Sequence, residues 1–329
     1  MRAKRRIGPF EVNPMGFGCM SLSHGYGVPS PRDHAVRLLN HALDLGHDFL
    51  DTAALYGFGA NETVVGQAIG HRRGECALAS KCGMTGVDGV RVLDGRPETL
   101  LATIDESLTR LHTDVIDLYY LHRWDKAVPI EESVGALARM VEVGKVRAIG
   151  LSEVSAATLR RAYAEHPIAA VQSEYSPWSR NVELGVLDAA RELGTALVAF
   201  SPVGRGFLAG GVRSPDDLVP GDFRCGMPRF TPDNFRRNLD LFARFRAIAE
   251  AAGCTPAQLS LGWVLSRGPH VIAIPGTASI AHLEENIATP ADLPPATLEA
   301  VDRLMTPEAI AGPRYGPAAQ AEVDTEEFA

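Results

Sequence analysis

Eight times along this chain, a short apolar run leads into a longer amphipathic stretch. This alternation is typical of strand–helix units that build a parallel sheet. We predict strands at residues 15–20, 49–51, 76–81, 115–121, 146–151, 169–172, 196–200 and 271–274. We predict helices at residues 31–45, 62–69, 97–111, 130–143, 156–164, 184–193, 234–252, 256–266, 280–288 and 295–304. Eight strands with intervening helices favour an α/β fold whose sheet closes on itself, a (β/α)8 TIM barrel.

The remaining segments fit around such a barrel. The predicted parts are an N-terminal β-hairpin at about residues 6–13, the barrel at about 15–305 and an irregular tail at 306–329. The hairpin is expected to turn at Gly8-Pro9, and a Gly/Pro-rich stretch at 202–232 predicts a long loop at the C-terminal face of the barrel. A barrel typically needs about 250 residues plus insertions. The length of 329 residues and the lack of a linker or repeat therefore predict one domain over 1–329.

A doubly wound open sheet is the runner-up fold. It would place a glycine-rich dinucleotide turn, GxGxxG, between its first strand and helix. Gly16-Phe17-Gly18 is the candidate nearest the first strand, and it lacks the third glycine. The closed barrel is therefore preferred.

Charge and cysteine content argue against several classes of partner. The formal net charge of −8 disfavours non-specific binding of nucleic acid, which needs a basic face. The five cysteines show no pairing or CxxC pattern, so reduced thiols are expected rather than disulfides or structural zinc. No apolar signal segment follows the basic start, and no apolar run is long enough to span a membrane. We expect a cytoplasmic protein with neither membrane nor nucleic-acid partners.

Ionisable residues fall where barrel enzymes place their active sites, at the C-terminal ends of the strands. Asp51 ends the second predicted strand, and Tyr56 follows five residues later. Lys81 ends the third strand and His122 the fourth. These neighbouring strand ends bring a carboxylate, a phenol, an ammonium group and an imidazole to one patch.

These four groups suit proton transfer. A phenol has an unperturbed pKa of about 10 and becomes a useful acid or base near neutral pH only when a nearby cation stabilises its phenolate. We expect Lys81 to supply that cation, Asp51 to keep Lys81 charged and oriented, and His122 to donate to the substrate oxygen. The arrangement predicts carbonyl reduction, in which hydride adds to carbon while Tyr56 protonates oxygen.

Hydride must come from a cofactor, because no side chain supplies it. Anionic phosphates of a cofactor favour helix N-termini and glycine loops, where backbone N–H groups can approach them. Two loops offer this. Residues 275–277 lead from the eighth strand into a helix, and residues 201–208 leave the seventh strand with two glycines and Arg205.

At these residues the sequence resembles the aldo-keto reductase superfamily, over about residues 6–305. Its motifs look most similar to those of the bacterial and plant branch that includes pyridoxal reductases and auxin-induced-type reductases. The motifs that carry the resemblance are GFGCM (16–20), FLDTA (49–53), YG (56–57), NE (61–62), SKC (80–82), DLYYLH (117–122), GKVRAIGLSE (144–153), VQSEYS (171–176), SPVGRGFL (201–208), IPGT (274–277) and LEEN (283–286).

The resemblance implies an NADP(H)-dependent oxidoreductase whose catalytic tetrad is Asp51, Tyr56, Lys81 and His122. It also implies the cofactor contacts. At the nicotinamide, the implied contacts are Ser152, Glu153 (often Asn in the family) and Gln172 to the carboxamide and Phe200 (often Tyr) stacked on the ring, with Cys19, Met20 and Asp51 nearby. The implied pyrophosphate contacts are Ser201, Pro202, Val203, Arg205 and Gly206. The implied contacts at the adenosine end are Gly276, Thr277, Ser279, His282, Glu285 and Asn286.

The stretch 276–282 departs from the family pattern. Many members place Lys or Arg near the adenosine 2′-phosphate. Here Ser279 and His282 can hydrogen-bond a phosphate, but neither is a fixed cation at pH 7. NADPH is the expected cofactor, and NADH is the alternative.

Aromatic residues in the strand-end loops predict the substrate pocket. The residues expected to contact substrate are Met20, Tyr56, His122 and Trp124, with Tyr26, Phe58, Phe223 and Phe230 as further candidates. Trp124 is expected to stack over the substrate, and whether Tyr315 of the tail folds over the site is left open. A mostly apolar pocket of this kind suits aldehydes, ketones or hydroxylated aromatic and polycyclic compounds.

Two other functions are weighed against the reductase. A cofactor-binding regulatory subunit would keep the cofactor loops but show little turnover, and the complete tetrad argues against it. A metal-dependent hydrolase would need several histidines and carboxylates at the strand ends, whereas Lys81 lies between Asp51 and His122. Members of the family that the sequence resembles occur as monomers and as larger assemblies, so a homo-oligomer is compatible with the sequence.

Overall fold

The structure is a computed structural model that describes residues 2–23, 25–87 and 89–328. The strands are β1 (Arg5–Ile7), β2 (Phe10–Val12), β3 (Phe17–Gly18), β4 (Phe49–Asp51), β5 (Ala77–Cys82), β6 (Met84–Val87), β7 (Val90–Leu93), β8 (Ile116–Leu121), β9 (Val146–Ser152), β10 (Ala170–Glu174), β11 (Ala196–Phe200) and β12 (Val271–Ala273). The helices are α1 (Arg32–Asp44), α2 (Ala60–Ile69), α3 (Pro97–Leu111), α4 (Ile130–Glu142), α5 (Ala156–Glu165), α6 (Val186–Leu193), α7 (Pro232–Ala251), α8 (Pro256–Leu265), α9 (Ile280–Ile287), α10 (Pro295–Leu304) and α11 (Pro317–Ala321).

Eight parallel strands form the barrel in the order β3-β4-β5-β8-β9-β10-β11-β12. The first and last strands meet around Ala273. The Gly16 N–H donates to the Ala273 carbonyl over 2.9 Å, and the Ala273 N–H donates to the Pro14 carbonyl over 2.9 Å. These bonds join the two edges of the sheet, so the predicted (β/α)8 barrel is confirmed.

Alternate strand residues fill the inside of the barrel, as the period of two requires. Phe49, Leu118, Tyr120, Val198 and Ile272 pack together there and are almost fully buried. The predicted hairpin is β1–β2, and its Ile7 and Val12 join this cluster. The hairpin thereby covers one end of the barrel, and the outer strand faces pack against the helices in a second, larger core.

Several predicted boundaries differ from the structure. The first strand is only Phe17–Gly18, because the chain turns at Met20–Leu22 into a short 3-10 helix. The antiparallel pair β6–β7 was not predicted, since its alternation of apolar residues is brief and β7 is largely exposed. The long loop at 202–232 contains short 3-10 turns, and the tail includes α11.

The longest described helix, α7, carries charged residues along its length. Nowhere in the described part of the chain is a helix both long and apolar enough to cross a membrane.

Candidate active site

Three neighbouring strands bring the predicted catalytic residues to one end of the barrel. Asp51 is the last residue of β4, Lys81 is the second-last residue of β5, and His122 follows β8 directly. These strands are adjacent in the sheet, so their carboxyl ends share one edge. Tyr56 comes from the turn that leaves β4.

The turn that carries Tyr56 has an unusual backbone. Gly57, Phe58 and Gly59 have φ values of 56°, 51° and 90°. Phe58 is the one of the three that is not glycine. For a residue with a side chain, the left-handed backbone conformation costs roughly 1–3 kcal/mol and persists only when surrounding contacts enforce it. Gly86 of β6 meets the Phe58 ring so closely that a Cβ there would lie 2.0 Å from it. The unpredicted β6–β7 hairpin therefore packs on the Tyr56 turn.

A buried polar network anchors the start of α2 behind this turn. Asn61 accepts a hydrogen bond from the Thr52 hydroxyl over 2.6 Å and donates to the Cys19 carbonyl over 2.9 Å. Glu62 accepts from Ser80 over 2.5 Å and from Arg110 over 2.7 Å. The Asn-Glu pair thus fixes α2 to the strands that carry the site.

The Lys81 ammonium group lies at the centre of the four residues. It donates to Asp51 Oδ1 over 2.5 Å, to the Thr52 carbonyl over 2.9 Å and to Tyr56 Oη over 3.2 Å. All three of its N–H bonds are therefore used, and its side chain is fully buried. The other Asp51 oxygen accepts from Gln172 Nε2 over 2.7 Å, which fixes the carboxylate from the side of β10.

Tyr56 and His122 face each other above this pair. Their rings meet edge to face with centroids 5.8 Å apart, and both side chains are less than a tenth exposed. The phenol oxygen thus contacts the Lys81 ammonium group while the phenol ring packs against the His122 imidazole, at the mouth of the barrel. Among the described residues, no three His, Cys, Asp or Glu side chains are grouped to hold a metal ion.

Burial and charge act in opposite directions on these groups. Burial raises the pKa of Tyr56 above that of an ordinary phenol, and the charge of Lys81 offsets only part of the rise. Burial acts to lower the pKa of Lys81, but the charge of Asp51 and the hydrogen bonds to Asp51 and Tyr56 outweigh it and keep that pKa above its ordinary value. Both groups therefore hold their protons at neutral pH. Lys81 acts on the phenol in the predicted direction, but desolvation is the larger effect, so the pKa of Tyr56 lies above its ordinary value and not closer to neutrality.

A cavity of about 1050 Å³ opens over the tetrad and runs from β8 to the loop after β12. Pockets for drug-sized ligands span about 300–1,000 Å³, so this one has room for a dinucleotide together with a substrate. Of the predicted cofactor residues, those lining it are Met20, Asp51, Ser152, Gln172, Phe200, Ser201, Pro202, Val203, Arg205, Gly206, Gly276, Thr277, His282, Glu285 and Asn286.

Three predicted cofactor residues lie outside the cavity lining. Cys19 is fully buried, and Ser279 caps α9, where its hydroxyl accepts from the His282 N–H over 3.4 Å. Glu153 has a φ of 56°, in the left-handed region that asparagine adopts more readily than glutamate. Its carboxylate instead binds Arg314 over 2.7 Å and 2.9 Å.

Two predicted pocket aromatics also lie elsewhere. Trp124 donates from Nε1 to the Val128 carbonyl over 2.8 Å and packs against the core, with no part in lining the cavity that the described residues form. Phe230 is buried against Trp178. By contrast, the cavity lining includes the predicted residues Met20, Tyr26, Tyr56, Phe58, His122 and Phe223.

The loop after β11 has a backbone suited to anions. Ser201, Gly204, Arg205 and Gly206 all have positive φ values, of 48°, 59°, 58° and 86°. Val203, with a φ of −110°, is followed by the left-handed Gly204, and such a change of hand between neighbouring residues turns backbone N–H groups towards one concave side, a geometry that binds anions. The Arg205 guanidinium is already paired with Glu174 over 2.5 Å, so the backbone is the freer donor in this loop.

The C-terminal strap, residues 310–328, forms one wall of the cavity. Ala311 exchanges two hydrogen bonds with the Asn238 side chain, and Tyr315 Oη accepts from Arg205 over 3.2 Å. Lys126 donates to two strap carbonyls, at Ala321 and Val323. The strap residues that line the cavity are Tyr315, Gly316, Pro317, Ala318, Ala319, Glu322 and Val323. Tyr315 of the tail does fold over the site.

Sequence reasoning missed three cationic residues of the cavity, namely Arg91, Arg123 and Arg224. Arg123 follows His122 directly, and that adjacency was the available signal. Arg91 lies on the unpredicted β7 and pairs with Glu322 of the strap. No local pattern pointed to it, since its partner is far away along the chain.

Comparisons with known proteins bear on this geometry. The sequence pattern of the Aldo/keto reductase family matches residues 14–305. Aldo-keto reductase yakc of Schizosaccharomyces pombe, whose name carries the cofactor NADP(+), is 44% identical over 327 residues, covering 97% of this chain and 96% of that protein. The fold is similar to glycerol dehydrogenase AKR11B4 from Gluconobacter oxydans, with a TM-score of 0.84, 28% identity, and coverage of 96% of this chain and 98% of that one. It is also similar to an aldo/keto reductase from Klebsiella pneumoniae solved with NADP and acetate, with a TM-score of 0.72, 28% identity, and coverage of 96% and 99%. The chain belongs to the aldo/keto reductase family.

Proposed function

We propose that this protein reduces an aldehyde or ketone to an alcohol with NADPH, and that Tyr56 donates the proton to the substrate oxygen. The arrangement of Lys81, Tyr56 and His122 at the floor of a cavity large enough for a dinucleotide is the observation that carries this proposal. Family membership and the cofactor named for the Schizosaccharomyces pombe relative support it.

The residues present fit a nicotinamide dinucleotide. The cavity is lined at one end by amide and hydroxyl groups of Gln172 and Ser152, and elsewhere by the positive-φ loop after β11 and the start of α9. Phe200 offers an aromatic face between them. When bound, the nicotinamide would supply the hydride, which is the one step that no side chain can perform.

Each tetrad residue has a distinct part in the proton transfer. Tyr56 holds its proton at neutral pH because its pKa is raised, so it is ready to donate as the substrate oxygen gains charge. Lys81 stabilises the phenolate that remains, over the 3.2 Å contact. Asp51 keeps Lys81 charged and fixed, and it is held in turn by Gln172.

His122 packs edge to face against the Tyr56 ring and lines the cavity. From there its imidazole can donate a hydrogen bond to the carbonyl oxygen and orient it towards Tyr56. An oriented donor of this kind stabilises charge that develops in the transition state.

Consumption of NADPH and NADH is the direct test, measured side by side with aromatic aldehydes, dicarbonyls, pyridoxal and cyclic ketones. We expect turnover with NADPH on part of this panel. Tight binding of NADPH without turnover on any member would refute the proposal and favour the regulatory alternative.

Tyr56→Phe tests the role of the proton donor. We expect turnover to fall by about 100-fold or more, since general acid catalysis contributes roughly 10²–10⁴-fold. NADPH affinity, measured by quenching of protein fluorescence, should stay within about threefold of the unmodified protein. A variant that keeps more than a tenth of the turnover would remove Tyr56 from this role.

A further inference from the structure

Four arginines line the cavity, and three of them have carboxylate partners. The cavity arginines are Arg91, Arg123, Arg205 and Arg224. The ion pairs are Arg91 with Glu322, Arg205 with Glu174 over 2.5 Å, and Arg224 with Asp222 over 2.6 Å. In residues 2–23, 25–87 and 89–328, no carboxylate forms an ion pair with Arg123. The cavity therefore contains one positive charge that the described chain does not neutralise.

The Arg123 guanidinium is held in place by hydrogen bonds from only one of its three nitrogens in the described structure. Its Nη1 donates to the His122 carbonyl over 2.7 Å and to Ser152 Oγ over 3.1 Å. Both bonds come from the same nitrogen, and the side chain is only partly buried. Within the described structure, Nε and Nη2 keep N–H groups for a ligand, and a guanidinium presents such groups in a planar fork that matches a carboxylate.

The position of Arg123 favours the substrate over the cofactor phosphates. Arg123 leaves β8, whereas the loops suited to phosphate leave β11 and β12, and β9 and β10 lie between them in the sheet. Its charge also acts to lower the pKa of Tyr56, so it lies within electrostatic reach of the proposed proton donor. A group bound by Arg123 would therefore sit close to the reacting carbonyl.

We propose that Arg123 binds an anionic group of the substrate, so that this site favours carbonyl compounds that carry a carboxylate, namely oxo acids and formyl acids. The proposal rests on the proposed carbonyl reduction and names the substrate class of that same site. The chain has a formal net charge of −8, so its overall field repels such substrates. Recognition must then come from a local cation, and Arg123 is the cation placed to provide it.

The turnover test compares 4-carboxybenzaldehyde with 4-formylbenzamide, which has almost the same shape but no charge. We expect kcat/KM for the acid to exceed that for the amide by about tenfold to 100-fold, the usual worth of a charge-assisted hydrogen bond. Arg123→Gln should remove this preference by lowering kcat/KM for the acid, and Arg123→Lys, which keeps the charge, should retain part of it. The KM for NADPH should stay within about threefold in both variants.

Two turnover results would overturn the proposal. An equal loss with acid and amide in Arg123→Gln would mean that Arg123 only supports the surrounding structure. A raised KM for NADPH with an unchanged acid-to-amide ratio would mean that Arg123 acts on the cofactor through Ser152. Melting curves of the variants check that each is folded.

A binding test separates this proposal from the proposed function. Benzoate and benzamide are titrated calorimetrically into the unmodified protein and the two variants, which requires no turnover. We expect benzoate to bind about tenfold or more tightly than benzamide, with the difference lost in Arg123→Gln. If the aldehydes are not reduced but this difference is present, the function fails and the anion site stands. Equal affinities for the two in the unmodified protein would by themselves overturn the proposal, even if no variant folds.

Discussion

The buried ion pair between Glu153 and Arg314 connects the C-terminal strap to the barrel, and breaking it should release the strap. The two side chains are 0% and 1% exposed, and Arg314 Nη1 meets both carboxylate oxygens, at 2.9 Å and 2.7 Å. The Glu153 charge holds the pKa of Arg314 above its ordinary value against the effect of burial. The perturbation is Arg314→Met, which keeps a long side chain and removes the charge.

The size of the effect follows from the partners that remain. Removing one member of a buried pair typically costs about 3–5 kcal/mol, because the other charge is left buried and uncompensated. Glu153 would still accept from the Glu174 N–H over 2.8 Å and from the Thr325 hydroxyl over 3.0 Å. We therefore expect a loss at the lower end, about 3 kcal/mol. That corresponds to roughly a 100-fold rise in the opening equilibrium of the strap, since about 1.4 kcal/mol is a factor of ten.

Hydrogen exchange followed by mass spectrometry measures this opening. In Arg314→Met, amides of the strap should exchange about 100-fold faster, while β8 and β9 keep their protection. KM for substrates should rise, since the strap lines the cavity. Adding Glu153→Gln should recover part of the protection, because it removes the orphaned charge.

Arg303→Met is the matched control. That arginine is 71% exposed and pairs with Glu299 at 3.5 Å, so its loss should change stability by less than about 1 kcal/mol. If Arg314→Met behaved like this control, with unchanged exchange in the strap, the account of the strap anchor would be refuted.

Three further predictions concern the phenol, the cofactor end and helix packing. Burial raises the pKa of Tyr56 above the ordinary phenol value of about 10, so the phenol stays protonated up to at least that pH. We therefore expect kcat/KM for reduction to show no alkaline fall between pH 7 and about 9.5. A fall with an apparent pKa near 8 would contradict this. His282→Arg should lower the KM for NADPH about threefold or more and leave that for NADH unchanged; equal effects on the two would remove His282 from the 2′-phosphate end. Gly66→Ala should lower the free energy of unfolding, measured in urea, by about 1–3 kcal/mol, because a Cβ there would lie 2.5 Å from the Leu111 backbone. Gly70→Ala is the control, since a Cβ at Gly70 would meet open space and should leave the free energy of unfolding unchanged.

The sequence predicted the barrel because a parallel sheet leaves a periodic record. Buried strands are short and apolar, helices repeat every 3.6 residues, and both signals are local. The positions of Asp51, Lys81 and His122 followed from the same record, since a residue that ends a barrel strand must lie at the carboxyl face. The structure places all three at that face, beside Tyr56.

Contacts between distant segments left no such record. Glu153 and Arg314 are 161 residues apart, and neither position has a local pattern that points to the other. The family resemblance assigned Glu153 to the cofactor, whereas its buried pairing with Arg314 takes the carboxylate out of the cavity lining. The expected place of Trp124 in the substrate pocket likewise rested on sequence position alone. Its closeness to His122 in sequence suggested the pocket, but the chain turns after β8 and the indole donates to Val128 instead.

The state of the Tyr56 proton shows why residue types alone do not fix the chemistry. From the sequence, a lysine beside a tyrosine argues for a lowered phenol pKa. The structure adds two facts that the sequence does not contain. The phenol is almost fully buried, and the Lys81 charge is shared with Asp51 at 2.5 Å, closer than the 3.2 Å to Tyr56. Lys81 therefore offsets only part of the cost of burying a phenolate, and the pKa rises. A site with this balance keeps its acid protonated across the neutral range. With Tyr56 as the proposed proton donor, we therefore expect reduction to need no prior protonation and alcohol oxidation to gain rate as pH rises, which pH profiles of kcat/KM in the two directions would measure.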